Sequence, residues 1–314
     1  MALITTSSAP KALWPGINAW YGASYNEFDV QYKSLFDIET SRRAYEEDVA
    51  STGFGLASIK PEGQSISYDD SSQSYITRYT HVRYALGFMI THEAMADNLY
   101  DVVGKRGSQD LAFSMRQTKE IVGANVYNRA FDAGFVGGDN SAMIVNNHAN
   151  FTGGDQSNLS AGNAALSEAS LEQACIDMAK WTTDRGLLIN VMPTSLIVPS
   201  ELQFEAKRIL GSEGRTTANL VAANPTFTSG ATNDINAINA MGKFSSYTVN
   251  NYLTSPTAWF MRTNVKNGTK MFERESMVFA PDNDFDTENS KYKATERYAF
   301  GWTDWKGIYG SAGA

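Results

Sequence analysis

The residue types that can cut, transfer or ligate are few in this chain and badly placed for it. The three histidines, His81, His92 and His148, are scattered, and Cys175 is the only cysteine. A His/Cys metal cluster is therefore not expected. His92-Glu93 opens like a zinc-protease helix, but Ala96 stands where the second histidine would be. Cys175 falls on the apolar side of a helix expected after Ser167, beside Leu171 and Met178, which makes it an inert buried thiol. There is no Gly-x-Ser-x-Gly elbow and no glycine loop ending in Lys-Ser/Thr to cradle phosphate. Asp282, Asp284, Asp286 and Glu288 alternate as in a calcium loop but lack its central glycine, and read as an acidic turn. No catalytic, cofactor-binding or metal-ligating residue is assigned, and no cofactor is expected. The chain reads as a non-enzyme.

Composition narrows the classes further. The 314 residues allow two domains of the usual ~150 residues or one elaborate one. The net charge is −8, which argues against a broad nucleic-acid-binding face, although not against a container with DNA inside it. Charged residues make up 19%, below the usual ~25%, so much neutral surface is left to meet other protein. One cysteine excludes an intrachain disulfide. No basic-then-apolar leader and no ~18-residue apolar run marks a signal peptide or a membrane span. The sequons at Asn150, Asn158 and Asn267 are read as chance.

The elements that would position any site follow from periodicity. Residues 1–35 carry Trp14, Trp20, Tyr21, Tyr25, Phe28 and Tyr32, broken by Pro10, Pro15, Gly16 and Gly22. They are too aromatic for a free tail and too irregular for a helix throughout, so they form either a strap on their own domain or an arm on a neighbour. Tyr75–Tyr84 alternates, and Gln64–Tyr84 reads as a long β-hairpin turning near Asp69–Gln73. Neither face of it is consistently apolar. A lone two-stranded hairpin is marginal in water, so it must lean on something. Leu111, Met115, Val122, Val126 and Ala130 predict a long helix over 108–132, capped by Ser108. After a Gly/Asn/Ser loop over 134–166, Ser167 caps a helix through Met178. Short strands follow at Leu187–Val191 and Thr194–Val198, then a helix from Ser200 to Gly211. Residues 211–256 are nearly uncharged and loop-rich. Strands are expected at Lys243–Tyr252, Thr257–Thr263, Met271–Ala280 and Lys291–Trp302. No internal repeat is present.

The order of these segments resembles a tailed-bacteriophage major capsid protein with the Hong Kong 97-type fold. Thr194-Ser-Leu-Ile-Val-Pro-Ser-Glu-Leu-Gln203, preceded by Leu166-Ser-Glu-Ala-Ser-Leu-Glu172, is similar to the helix-strand-helix run of Mu-like major head subunits. His148-Ala-Asn150 and Tyr298-Ala-Phe-Gly-Trp302 with Trp305 and Gly307 add to the likeness. The resemblance implies an α+β subunit with an N-terminal arm (1–52), an extended β-hairpin loop (53–90) lying over the adjacent subunit, a peripheral domain with a spine helix (91–147), an axial domain (148–265) and a return to the peripheral domain (266–314). It implies self-assembly as hexamers and pentamers into an icosahedral virion shell around double-stranded DNA, built in the host cytoplasm. The expected partners are further copies of the chain, a separate scaffolding protein, a portal and decoration proteins, with no membrane and no sequence-specific DNA contact. Lys60 is expected at the base of the hairpin, too far from its tip to be joined covalently to a neighbour. Deleting Ser65–Thr80 should leave a folded subunit that builds no shells. An encapsulin-type nanocompartment shell and an enzyme with a dispersed carboxylate site are the competing readings.

Overall fold

The structure, a computed structural model, describes residues 10–27, 29–96, 104–150, 153–212, 235–283 and 288–313. In chain order the elements are helices α1 (Pro10–Glu27) and α2 (Tyr32–Leu35), then strands β1 (Asp37–Thr40), β2 (Tyr45–Ser51), β3 (Gln73–Thr80) and β4 (Val82–Ile90). Helices α3 (His92–Ala96) and α4 (Lys105–Asn128) follow, with the short strands β5 (His148–Ala149) and β6 (Asp155–Gln156). Then come α5 (Glu168–Ala179), β7 (Pro193–Val198), α6 (Gln203–Gly211), α7 (Ala237–Ala240), β8 (Ser246–Val249) and β9 (Trp259–Thr263). The long strands β10 (Thr269–Asn283) and β11 (Ser290–Trp302) lead to β12 (Ile308–Ser311). The chain divides into two compact units, one of residues 1–46, 79–124 and 271–301, the other of 47–78, 125–270 and 302–314.

The first unit is a four-stranded sheet, ordered β1-β10-β11-β4, with helices on one face. In β11 every second residue from Ser290 to Tyr298 is buried and those between are not, the period-2 signature of a sheet covered on one side. Tyr292 and Ala294 of that face join Phe279, Ile90, Leu111, Ala112 and Met115 in one apolar cluster, which Tyr21 and Tyr25 of α1 complete. Leu111, Ala112 and Met115 have the i, i+1, i+4 spacing of one helix face, and this is what seats α4 on the sheet.

Charge is buried in the same layer. Lys119 is almost wholly enclosed and lies 3.0 Å from a Glu273 oxygen and 3.1 Å from one of Glu296, itself fully buried. The Tyr25 hydroxyl donates to the other Glu296 oxygen at 2.7 Å. Arg116 donates to the Tyr25 carbonyl at 2.9 Å and lies over the Tyr25 ring. The Glu120 carboxylate accepts the backbone N–H groups of Gln31 and Tyr32 at 3.0 and 2.9 Å. Arg116, Lys119 and Glu120, on one face of α4, thus hold Tyr25, Gln31 and Tyr32 beside the sheet carboxylates Glu273 and Glu296.

The second unit has a sheet ordered β12-β9-β7-β8, in which β7 pairs with β8 in parallel and with β9 antiparallel. Trp259, Met261, Leu196, Val198 and Tyr309 from these strands close a core with Leu171, Ala174 and Met178 of α5 and Ala206 and Ile209 of α6. Ser167 caps α5, its hydroxyl accepting the Ser170 N–H while the Ser170 hydroxyl accepts the Ser167 N–H. Cys175 packs against this core, and burial pushes its thiol up. Asn158 is fully buried and its amide nitrogen faces three backbone carbonyls, which leaves no room for a glycan. Gly268 and Gly307 touch backbone to backbone; a Cβ on Gly268 would meet the Gly307 Cα at 2.8 Å.

Several expectations need correction. Pro10–Glu27 is helical, and its Tyr21 and Tyr25, with Tyr32 and Phe36 after it, are buried inside the chain's own unit; residues 1–9 lie outside the described set. Tertiary burial of the two tyrosines outweighs the glycine and proline breakers. Residues 187–191 make only an isolated bridge, Leu188 to Thr182. The long helix runs from Lys105 to Asn128, three to four residues earlier than its periodicity suggests. The hairpin does not turn at Asp69–Gln73: β3 pairs with β2, and β4 pairs with β11. Asp284 and Asp286 of the acidic turn, and residues 213–234 of the uncharged stretch, lie outside the described residues.

The buried charges set a pH profile. Burial alone lowers the Lys119 amine, but Glu296, Tyr32 and Glu273 outweigh it and the net shift is upward. Burial first, with Glu296 adding to it, raises the hydroxyls of Tyr21, Tyr25 and Tyr298. Each of these groups keeps its proton when folded while the unfolded chain loses it above about pH 10. The folded state then binds more protons, so stability falls as pH rises past that point. Denaturant melts should show stability unaffected by these groups from pH 7 to 9. Above about 10 it should drop by ~1.4 kcal/mol per pH unit for each group involved. Lys119→Met should cost ~3–5 kcal/mol at pH 7, because it strands Glu296 in the core. Gly268→Ala should cost ~1–3 kcal/mol by overpacking, read as a lower melting temperature.

Candidate assembly interface

Residues 47–78 form a two-armed ribbon in the second unit, and its construction explains where it is rigid and what it leaves bare. At its foot Asp48 accepts from Lys270 and from the Thr303 hydroxyl, both at 2.8 Å, and Arg78 pairs with Glu47 at 2.7 Å. Beyond Ser51 the arms are joined mainly through side chains. The Ser51 and Ser71 hydroxyls are 2.8 Å apart, Gly55 N–H donates to Asp69 at 2.8 Å, and the Ser58 and Ser67 hydroxyls are 2.6 Å apart. One backbone bond, Thr52 N–H to the Ser72 carbonyl at 3.0 Å, supplements them. The partners converge on Pro61–Gln64, where Gln64 N–H closes the turn on the Pro61 carbonyl. Lys60 therefore stands beside the tip, not at the base, and the positional argument against its being joined to a neighbour falls.

Two contacts seat the ribbon on its own unit. The Tyr75 hydroxyl donates to the Ala149 carbonyl at 2.6 Å. Arg185 donates to the Asp70 carbonyl at 2.7 Å and reaches Asp69 at 3.4 Å. Gly55 N–H is the main cause that lowers the Asp69 carboxyl, with Arg185 adding to it and burial opposing. The seat for Tyr75 is itself stiff. His148 is fully buried, stacks parallel to Trp305 at 4.5 Å, and lies between Asp139 (2.6 Å from Nδ1) and the Asn158 side-chain oxygen (3.1 Å from Nε2). The Asn158 amide nitrogen serves three carbonyls, which orients its oxygen toward His148 and makes Nε2 the donor. The Asp139–His148 pair looks like part of a catalytic relay, but Nε2 meets an amide oxygen and not a nucleophile. It is a structural pin.

What the ribbon does not do is bury its apolar side chains. Leu56 is 87% exposed, Ile59 95% and Tyr68 89%, and Phe54 and Ile66 are more than half exposed. The second unit also exposes Leu188, Phe204, Ile235 and Met241. Five large apolar groups left bare along one narrow ribbon are the kind of exposed apolar surface that marks an interaction site. No helix of the described residues is long and apolar enough to cross a membrane, and no group of three or more His, Cys, Asp or Glu among them is placed to hold a metal ion. Sequence reasoning found an extended hairpin here but misplaced its turn and did not see its seat on Ala149 and Arg185. It missed the His148 pin, whose members are joined only by folding.

Comparison with known proteins agrees with a surface made for assembly. A family model described as phage capsid protein matches residues 74–311. No curated protein matches the chain in sequence. Among solved structures, the capsid of a native GTA particle is similar with a TM-score of 0.53 at 10% identity, covering 91% of this chain and 92% of that one. The procapsid of bacteriophage JBD30 is similar with a TM-score of 0.51 at 12% identity, covering 98% of this chain and 76% of that one. Mycobacterium phage Patience gives 0.51 at 11% identity, covering 98% and 88%. The chain belongs to the phage capsid protein family: it is a tailed-phage major capsid protein with the Hong Kong 97-type fold, a structural protein whose work is to build the shell.

Proposed function

We propose that this subunit assembles as hexamers and pentamers into an icosahedral head around double-stranded DNA, with the ribbon of residues 53–72 laid over the adjacent subunit. The exposure of Phe54, Leu56, Ile59, Ile66 and Tyr68 carries this reading. Burying such a side chain is worth about 1.5–3 kcal/mol, so one ribbon supplies a large share of one subunit contact. Each contact can be modest, because a closed shell engages many at once. On this reading the first unit is the peripheral domain with α4 as its spine, and residues 125–270 hold the axial domain. A separate scaffolding protein, a portal and decoration proteins complete the head, which is assembled in the host cytoplasm. DNA is enclosed without sequence readout.

A deletion of Ser65–Thr80 would remove β3 and so unfold the foot of the ribbon, not merely shorten it. The cleaner variant is Leu56→Ser/Ile59→Ser/Tyr68→Ser, whose targets touch little else. It should melt within about 0.5 kcal/mol of the parent, as exposed positions do. Co-expressed with its scaffolding protein, it should give no closed shells in negative-stain electron microscopy where the parent gives them. Normal shells from the triple variant would sink the assignment of the ribbon.

A further inference from the structure

The sheet of the first unit has a second face, turned away from α4, and its charge is unlike the rest of the chain. Register places Lys291 opposite Met89, Lys293 opposite Gly87, Thr295 opposite Ala85 and Arg297 opposite Arg83. Directly paired residues project to the same side, so Lys291, Lys293, Arg297 and Arg83 share this face. Both lysines and Arg83 are exposed, and Arg297 is half-buried. Two arginines directly opposite each other repel, which costs a sheet stability. One carboxylate, Glu275, offsets Arg83 at 3.0 Å. Lys293 and Arg297 have no ion pair among the described residues. A second sign of concentrated positive charge lies on the same face: after burial, the next cause that lowers the His81 imidazole is Arg297, and Arg274 adds to it, while Glu46 acts the other way.

The shape matches the charge. Lys291 to Arg297 spans about 20 Å of extended strand, with cations about 7 Å apart at its start. Across from them stand Ala85 and Gly87, which raise no barrier beside the row. Gly87, Met89, Lys291, Lys293 and Asp282 line a shallow cavity of about 370 Å³ at one end, Asp282 being its one acidic residue among the described residues. A row of cations beside a low, flat strip suits a broad polyanion that carries one negative charge per ~3.4 Å of each strand. In a chain of net charge −8, such a row is a departure from the average.

We propose that this face of the sheet, centred on Lys291, Lys293 and Arg297, holds the phosphate backbone of the duplex DNA that the shell encloses. The inference rests on the reading of the protein as a DNA-containing head. The contact reads no sequence, since Lys291, Lys293 and Arg297 would meet phosphates and not base edges. It is a small foothold on each subunit, multiplied by the copies in the shell.

The test is fluorescence anisotropy of a labelled 30-base-pair duplex with the full-length subunit from 50 to 200 mM NaCl. Three phosphate contacts predict a slope of log K against log[NaCl] of about −3 for the parent. Lys291→Gln/Lys293→Gln should flatten it by about 2 and weaken binding at least tenfold at 100 mM NaCl, with an unchanged melting temperature. Lys291→Arg/Lys293→Arg should bind like the parent, and so should Arg208→Gln, which removes an exposed cation from α6. The proposal is overturned if the parent does not bind the duplex, or if the glutamine variant keeps its affinity and slope. It is also overturned if that variant keeps DNA binding but loses shell assembly, since the row would then face a neighbour's carboxylates. Mature particles purified from phage-producing cells that contain no DNA, from a subunit that binds it through this row, would reject the head reading and leave the site standing.

Discussion

Lys119 is the joint on which the first unit depends. Its ammonium sits in the core against Glu296, which is fully buried, and against Glu273. Glu296 in turn accepts the Tyr25 hydroxyl, and the neighbouring Arg116 and Glu120 hold the backbone at Tyr25, Gln31 and Tyr32. One turn of α4 thereby links segments 271 residues apart in sequence. Such a network is a poor source of net stability, since desolvating each charge costs several kcal/mol. Its value is positional. An apolar layer would tolerate sliding, whereas a lysine between two carboxylates has one register.

The contrast with the ribbon is physical. The first unit pairs its buried Lys119 with two carboxylates and covers one sheet face with helices. The ribbon has no covering layer, because two arms joined by serine hydroxyls and a few backbone groups enclose no volume. Its polar groups are paired, as between Ser58 and Ser67, so it keeps its shape. Its apolar groups are not covered, so it keeps its affinity. The fixed foot at Asp48, Lys270 and Thr303 and the pinned seat at Ala149 set the direction in which that affinity is offered. A subunit built this way fits the self-assembly into shells that membership in a capsid family implies.

What could be read from the sequence was whatever is decided locally. The Ser167 cap needs only Ser170, three residues on, and Ser167 was visible as a helix start. The long helix, β7 and the two long strands show their own periods. The ribbon's turn was missed because its arms pair through Ser51–Ser71 and Ser58–Ser67, a pattern with no alternation to find. The polar run Asp69–Gln73 looked more like a turn than Pro61–Gln64 did. Helix α1 was missed because Pro15 and Gly16 argue locally against it, while Tyr21 and Tyr25 are paid for by burial supplied from α4 and β10. The basic face of β11 was hidden for the same reason: Lys291, Lys293 and Arg297 become a row only when alternate residues are turned to one side and Arg83 is brought opposite.

The central claim is that residues 54–68 are bare in the subunit and covered in the shell. Hydrogen exchange measured by mass spectrometry on free subunits and on purified shells tests it most directly. The account predicts that peptides covering 54–68 exchange rapidly in the subunit and become strongly protected in the shell, with little change at Lys119 and its neighbours on α4. Equal, rapid exchange of 54–68 in both states would contradict it.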